Sequence, residues 1–552
     1  MEPFPDWLAP LPDAERMRAI DRWAIDQRGV PSLELMERAG AGVTRAVERL
    51  APDGPVAVVC GKGNNGGDGL VVARLLRHAG RPVSVICTAP VEELRGDAEA
   101  NLKRLPGPPP TALAQARSLL EEAGVIVDAL LGTGFAGEPH GPVLEAIEAI
   151  AACSAPVVSV DVPSGVDSSS GVVAGAAVSA TATVTFHAAK PGLWIDPGKA
   201  HAGALEVLDI GIPRGAPLQA DIGLITPAVL ALLPRREAQS TKFSSGHVIV
   251  VGGSRGLTGA PRMAALGAMR AGAGYVTACV PESLQAILAC GPPELMTIGL
   301  PDDAEGLIAA AAAPALEAAH RGGALALGPG LGRRDGAQAF ARELARTAAL
   351  PLVLDADGLN AHADHGGERL GGLAARPAPT VLTPHAGELG RLLDLDSEHI
   401  SAERLAHARA AAQTAQATVV LKGDDTLVAD PGGLVAVSPG DSPALATAGT
   451  GDVLSGVIAA LLAEGLSAFI AASAGVCLHA EAGRLAAWAQ GAAEGVVASD
   501  VIAMLPRAHA RGVDGASDLQ AAPWLFADGV AHDAREPHQG RRRDAAQGSR
   551  RP

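Results

Sequence analysis

The chain has 552 residues and a formal net charge of -16; single hydrophobic cores stop growing at roughly 250–300 residues, so two domains are expected. An acidic balance of this size argues against a nucleic-acid or anionic-membrane partner and leaves small molecules as the expected ones. With 48% hydrophobic residues but only 2% aromatic, small side chains must fill the cores, which suits helices packed closely on parallel sheets.

At the N-terminus, MEPFPDWLAPLPDAERM has no basic region followed by an apolar run. No signal peptide is read, and a cytoplasmic location is expected. A helical segment spans 14–50 and contains LMERAG at 35–40. Strand-like runs follow at 56–60, 83–87, 125–130, 157–161, 182–186 and 205–208. They are continuously apolar, the pattern of strands buried on both faces of a parallel sheet. Helical stretches such as 68–78 lie between them, so the first half reads as a doubly wound α/β domain. A polar, Pro-flanked stretch over 213–242 holds the expected boundary.

The alternation restarts at 247–251, 275–280, 324–327, 352–355, 380–382 and 418–421, and a long helix follows Gly451. Ala-rich runs at 307–319 and 459–478 are interrupted by Pro, Glu, His or Gly and read as buried helices, not membrane spans. Domains are therefore expected over 1–227 and 235–510, with a disordered tail over 511–552 that carries RRRD at 541–544. Cys60, Cys87, Cys153, Cys279, Cys290 and Cys477 form no CxxC pair and are expected to be reduced, buried thiols.

CGKGNNGGDG at 60–69 joins a strand to a helix. Its glycines permit positive φ and close backbone approach, as a phosphate at a helix N-terminus requires. Its Asn and Asp add polar groups beyond the needs of a plain turn, which is the alternative reading. The spacing is neither GxGxxG nor a phosphate loop ending in GK[ST]. DALLGTGF at 128–135 and DVPSGVD at 161–167 end two more strands in polar loops, with Asp128 read at a solvent-facing strand end. Ligands of open α/β sheets bind at that carboxyl edge. An isolated DVPSG could simply cap a turn, but three polar strand ends together point to a site.

In this order, and followed by TVTFHAAKPGL at 183–193, these motifs resemble the NAD(P)H-hydrate epimerase family over roughly residues 13–227. The resemblance implies that Asn64, Asn65, Gly66, Gly67, Asp68, Gly132, Thr133, Gly134, Phe135, Ala136, Gly137, Glu138 and Asp161 bind the hydrated cofactor. It also implies a potassium ion held by Asn65, Asp128 and Ser164, whose oxygen donors suit such a cation better than a transition metal. Epimerisation at the hydroxylated ring carbon calls for an acid/base, with Asp161 the first candidate and Lys190 the second. A surface or purely electrostatic lysine is the alternative for Lys190.

Near the other end, ATAGTGDVLSG spans 446–456. Gly449, Thr450 and Gly451 offer backbone amides just before an apolar helix over 453–462, an anion hole for a transferring phosphoryl group. Asp452 stands where a carboxylate could take a proton from a hydroxyl nucleophile; a helix N-cap is the alternative. The motif resembles the ribokinase-like fold, which leaves many small-molecule kinases possible.

Other segments are more specific: GHVIVVGGS at 246–254, GAP at 259–261, GPGLG at 328–332, DADGLN at 355–360, LTPHAGE at 382–388 and LKGDDT at 421–426. Their order resembles the ADP/ATP-dependent NAD(P)H-hydrate dehydratase family over about 242–506. The resemblance implies that Ala260, Gly330, His385 and Asp452 line the hydrated-nicotinamide site, with Asp452 catalytic. It implies further that Lys422, Gly423, Asp424, Asp425, Thr426 and Gly451 hold the adenine nucleotide. A core histidine is the alternative for His385. The chain departs from the family at Leu257, where an aromatic is common, and at Ala480 after His479, where Gly is usual.

The expected fold is thus α/β throughout, a Rossmann-like domain followed by a ribokinase-like one. The resemblances imply repair of hydrated NADH and NADPH, the first domain interconverting R and S epimers and the second dehydrating the S epimer with ADP or ATP. Phosphorylating the ring hydroxyl replaces water, a poor leaving group, with phosphate, and a magnesium ion is expected to meet the phosphoryl charge. No residue proposed for one site comes from the other half, so the two activities are expected to be separable. A homo-oligomer is expected. One rival is a fused kinase that releases a phosphorylated product. Another is a non-catalytic N-terminal scaffold, against which Asn65, Asp128, Asp161 and Ser164 speak.

Overall fold

The first strand, β1 (Leu8–Pro10), leads into the helix Ala14–Arg22, which Asp13 caps by accepting the Arg16 amide. The computed structural model describes residues 4–216, 220–319, 323–363, 369–440 and 442–514, the side chains of 512–514 excepted. The segment expected to be helical over 14–50 is two helices, Ala14–Arg22 and Ser32–Leu50, joined through a π-helical turn at Trp23–Gln27.

A seven-stranded sheet follows, built from β2 (Val56–Cys60), β3 (Val83–Cys87), β4 (Thr111–Ala112), β5 (Val125–Ala129), β6 (Val157–Val160), β7 (Ala182–Phe186) and β8 (Ala204–Leu208). Its order is β4-β3-β2-β5-β6-β7-β8, and every pairing is parallel. All side chains of β2 and β5 are buried, which is why these runs carry no polar alternation. The chain moves outward from β2 to β3 and then returns to β5 on the other side. This switch point leaves a crevice between the loops after β2 and β5.

The second sheet contains β9 (Ile222–Ile225), β10 (His247–Val251), β11 (Tyr275–Pro281), β12 (Met296–Leu300), β13 (Ala324–Leu327), β14 (Leu352–Leu354), β15 (Thr380–Leu382), β16 (Thr418–Leu421), β17 (Leu427–Ala429) and β18 (Val435–Val437). Its eleven strands run β1-β9-β18-β17-β16-β15-β14-β13-β10-β11-β12. The strands from β16 across to β12 pair in parallel, while β17 and β18 form an antiparallel hairpin. Beyond it, β9 pairs parallel with β18 and antiparallel with β1.

The division expected at 227–235 therefore does not follow the sheets. Two strands from the first 227 residues complete the sheet of the second half. Leu8 and Ile225 pack in one core with Val248 and Val457, and Leu11 and Leu224 in the core on the opposite face with Leu325 and Val437. Runs of three or four residues are too short to show either strand period; β9 finds its partner at the open edge of β18, and β1 in turn on β9. The strands β4, β12, β17 and β18 escaped the sequence pattern for the same reason of length, or, in β12, because Gly299 and two exposed residues interrupt it.

The C-terminal helix Ala498–Asp514 runs past Arg511 into the expected tail; the rest of that tail, RRRD included, lies outside the described residues. The six cysteines are free, but Cys290 is exposed and Cys153 and Cys477 are half-buried. Among the described residues no helix is long and apolar enough to cross a membrane.

Candidate active sites

At the β2/β5 crevice lies a cavity of about 930 Å³. Asn64, Asn65 and Asp68 line it from the start of the helix Asn64–His78, Gly132, Thr133, Gly134 and Phe135 from the loop after β5, and Asp161 and Lys190 from beyond β6 and β7. Gly66 and Gly67 do not reach the lining. A Cβ on Gly66 would stand 1.9 Å from the Gly61 carbonyl oxygen, and one on Gly67 2.8 Å from the Met36 sulfur. These glycines permit close packing of the loop and helix. Ala136, Gly137 and Glu138 also lie outside the lining; Glu138 sits against Gly175, where an added Cβ would meet its Cγ at 2.9 Å.

Asp161 is buried with φ at 68°. Lys190 Nζ donates to its Oδ1 at 2.7 Å and also to Thr185 Oγ1 at 2.7 Å and the Phe186 carbonyl at 3.0 Å. With 1% of its surface exposed, Lys190 is not a surface lysine. The Thr133 amide donates to Asp161 Oδ2 at 3.1 Å, joined there by the Thr133 hydroxyl. Burial opposes the charge on Asp161, but the Lys190 ammonium and the hydrogen bonds from Lys190 and Thr133 outweigh it and hold the carboxyl below its usual range.

Asp68 goes the other way. Burial first, then the carboxylates of Asp161, Asp21 and Asp97, push it well above the usual range. Two carboxyls in one cavity are thus driven apart in proton affinity, the condition for separate acid and base roles. Asp21, Met17 and Arg18 reach this cavity from the helix Ala14–Arg22, and Asp97 from the helix Gly96–Arg104. Sequence reading missed them because an Asp in an amphipathic helix carries no motif.

Asp128 is fully buried rather than solvent-facing. Its Oδ1 accepts from the Ser164 hydroxyl at 2.6 Å and its Oδ2 from the Ser159 hydroxyl at 2.8 Å and the Ser164 amide at 2.9 Å. Ser164 Oγ in turn accepts the Leu131 amide at 3.0 Å. Against the next residue, Gly132, packs Asn65, whose side-chain nitrogen and oxygen are both buried without a protein partner. Asn65 thus packs, with its amide orphaned, on the loop that follows Asp128, and amide, carboxylate and hydroxyl oxygens are donors that suit a monovalent cation.

In the second half, a cavity of about 370 Å³ is walled by Lys422, Gly423, Asp424, Thr426, Thr450 and Gly451, with Leu445, Leu454, Val476 and Ala480 on an apolar side. Five of the expected nucleotide residues therefore meet. Asp425 does not join them. Its carboxylate, 1% exposed, accepts from Arg404 Nε at 2.8 Å and from the Asp196 amide at 2.9 Å. Neighbouring side chains in a turn point to different sides, so two adjacent aspartates could not be assigned from sequence. His479 and Ser442, which sequence reading did not select, also line this cavity, and His479 Nε2 and Ser442 Oγ have no protein partner. Burial pushes His479 down to about 4.

Gly449 caps the helix Thr450–Ala463 in the left-handed conformation, so Asp452 belongs to the first turn and is not the N-cap. Burial, then the carboxylates Asp355, Asp357 and Glu388, push Asp452 up to about 7, with Lys422 opposing. Lys422 Nζ donates to Asp355 Oδ1 at 2.9 Å, and Ser455 donates to its Oδ2 at 2.6 Å. Burial opposes the charge on Asp355, yet Lys422 and Ser455 hold it below its usual range.

His385 caps the helix Ala386–Leu393, its ring accepting the Gly387 amide at 3.0 Å. Its side chain is 55% exposed, which removes the core-histidine alternative. Ala260 and Gly330 are neighbours: a Cβ on Gly330 would stand 3.0 Å from Ala260 Cβ. The Gly332 amide donates to Asp357 at 2.9 Å, tying the loop after β13 to the carboxylates around Asp452. Ala260, Gly330, His385 and Asp452 follow β10, β13, β15 and the nucleotide-side wall respectively; none lines the 370 Å³ cavity itself.

Residues 248–507 match the family described as NAD(P)H-hydrate dehydratase, and residues 32–192 the family described as YjeF-related protein N-terminus. The bifunctional NAD(P)H-hydrate repair enzyme of Moorella thermoacetica is 41% identical over 520 residues, covering 90% of this chain and 96% of that one. Its counterpart from Salinibacter ruber is 41% identical over 530 residues, covering 91% and 96%. Among solved structures, the ADP/ATP-dependent NAD(P)H-hydrate dehydratase from Bacillus subtilis, co-crystallised with ATP and Mg2+, is 29% identical with a TM-score of 0.44, covering 52% of this chain and 98% of that one. With relatives 41% identical along about nine-tenths of its length, the protein belongs to the bifunctional NAD(P)H-hydrate repair enzymes.

Proposed function

We infer that the protein repairs hydrated NADH and NADPH, the first half interconverting the R and S epimers and the second dehydrating the S epimer with ADP or ATP. One observation carries the reading. Each half holds a carboxyl kept ionised by a lysine, Asp161 by Lys190 and Asp355 by Lys422, beside one pushed toward protonation, Asp68 or Asp452. In the first cavity Asp161 accepts a proton and Asp68, whose proton affinity burial raises, supplies one. In the second, Asp452 titrates near neutrality and takes the proton of the ring hydroxyl as the phosphoryl group arrives. The amides of Gly449, Thr450 and Gly451 meet the phosphoryl charge.

Asn65, Asp128 and Ser164 would hold a potassium ion, which supplies positive potential beside the bound cofactor. Magnesium would neutralise nucleotide phosphate charge. Among the described residues no group of three or more His, Cys, Asp or Glu side chains could hold a metal ion, so its ligands would come mainly from phosphates and water. A cytoplasmic location and a homo-oligomer belong to the same proposal; the exposed Met296 and Ile298 on the edge strand β12 would give a second copy apolar surface to cover.

The test is to incubate the protein with both hydrated NADH epimers and ADP or ATP, following dihydronicotinamide absorbance and inorganic phosphate. Complete recovery with one phosphate released per cofactor is expected. Accumulation of a phosphorylated dinucleotide without recovered absorbance would instead identify a kinase.

A further inference from the structure

We propose that Lys199, a residue of the first half, positions the nucleotide-binding loop of the second. The inference rests on the reading that the 370 Å³ cavity takes an adenine nucleotide. Lys199 Nζ lies 2.5 Å from Asp424 Oδ2 and donates to the Pro439 carbonyl at 3.3 Å. These contacts tie Asp424, which lines that cavity, to the turn that leads into Gly440, which also lines it.

Gly440 leaves the room required. A Cβ there would stand 2.5 Å from Lys199 Nζ and 2.8 Å from Asp424 Oδ1. The Lys199 side chain is 19% exposed and that of Asp424 58%, so only the lysine end of the contact is withdrawn from solvent. A second contact anchors the same segment: the Asp196 amide donates to Asp425 Oδ2, which Arg404 also holds. Asp425 thereby serves the junction between the halves rather than the ligand. The segment begins at Lys190, whose ammonium belongs to the other cavity. Lys199 touches no reacting atom; it acts through Asp424 and the Pro439–Gly440 turn.

The test uses the full chain and ADP alone as the probe. Calorimetry of wild type, Lys199→Ala and Lys199→Arg is combined with thermal melting, dehydration kinetics and epimerisation without nucleotide. Lys199→Ala should weaken ADP binding about three- to fivefold, the upper range for a single ion pair that is not fully buried. Lys199→Arg should recover most of that loss. In dehydration the effect should fall on KM for the nucleotide and leave kcat in place, with epimerisation unaltered. Equal ADP binding by wild type and Lys199→Ala overturns the proposal. So does a parallel loss of ADP binding, epimerisation and melting temperature in both variants, which marks a general loss of fold. If the wild type itself does not bind ADP, the assignment of the cavity falls along with the role of Lys199.

Discussion

Deleting residues 1–12 should destabilise the half of the molecule at the opposite end of the chain. The deletion removes β1 and with it Trp7, Leu8 and Leu11, which are 8%, 4% and 1% exposed in the cores of the second sheet. It also removes the Trp7–Phe469 ring contact at 5.7 Å and the Leu11 amide bond to the Ile222 carbonyl at 2.9 Å. Fully burying a large apolar side chain contributes about 1.5–3 kcal/mol. Three of them give roughly 5–9 kcal/mol, an upper value because unfolded chains retain some burial. Domains are stable by only about 5–15 kcal/mol. Taking the low end, the melting temperature of the dehydratase half should fall by about 10–20 °C.

The β2–β8 sheet loses no strand, so its own transition should move much less. Differential scanning calorimetry, with ADP added to mark the second transition, reads both. If the deletion protein melts like the full chain and dehydrates at the same rate, β1 is a loose appendage and the reasoning fails. For the same reason the two activities, expected to be separable, should not both survive a cut between 213 and 240. A fragment over 235–511 lacks both β1 and β9, leaves the β18 edge open, and should not fold on its own.

Other outcomes follow from the two sites. Asp452→Asn should lower dehydration by about 10²–10⁴-fold while epimerisation continues; wild-type turnover in that variant would remove Asp452 from catalysis. Because a base works ionised and burial pushes Asp452 up to about 7, dehydration should rise with pH through neutrality, with roughly a tenth of the maximum left at pH 6. A rate independent of pH between 6 and 8 contradicts that role. Asp128→Ala should weaken both potassium binding and the fold, since it removes the acceptor of the Ser159 hydroxyl and of the Ser164 amide; each buried unsatisfied group costs about 1–3 kcal/mol. Calorimetric potassium titration and urea denaturation test it, and unchanged stability would show that the carboxylate is not needed by its buried neighbours.

Much of the first cavity was legible because its residues stand together in sequence, at strand ends where a sheet delivers ligands. The polar strand ends and the rule for parallel sheets pointed to a site there, and the family resemblance supplied Asn65, Asp68, Gly132, Thr133 and Asp161 as its residues. Glycine was the ambiguous signal: Gly66 and Gly67 lie in the same motif as Asn65, and packing alone already requires them to be glycine. The Lys190 alternative could not be resolved from sequence, because the ion pair with Asp161 joins residues 29 positions apart.

Local patterns of apolar runs, turns and polar strand ends are enough to read most parallel strands of both sheets, though not β4, β9 or β12, and the two glycine-rich helix starts. That β1 and β9 complete the second sheet, that Asp425 faces the junction and that Asp128 is buried is set by tertiary packing. The same packing crowds Asp68 with Asp21 and Asp97. Strand partnership, side-chain direction and proton affinity depend on groups far apart in the chain, whose effects exist only once folding has closed the distance and excluded the water between them.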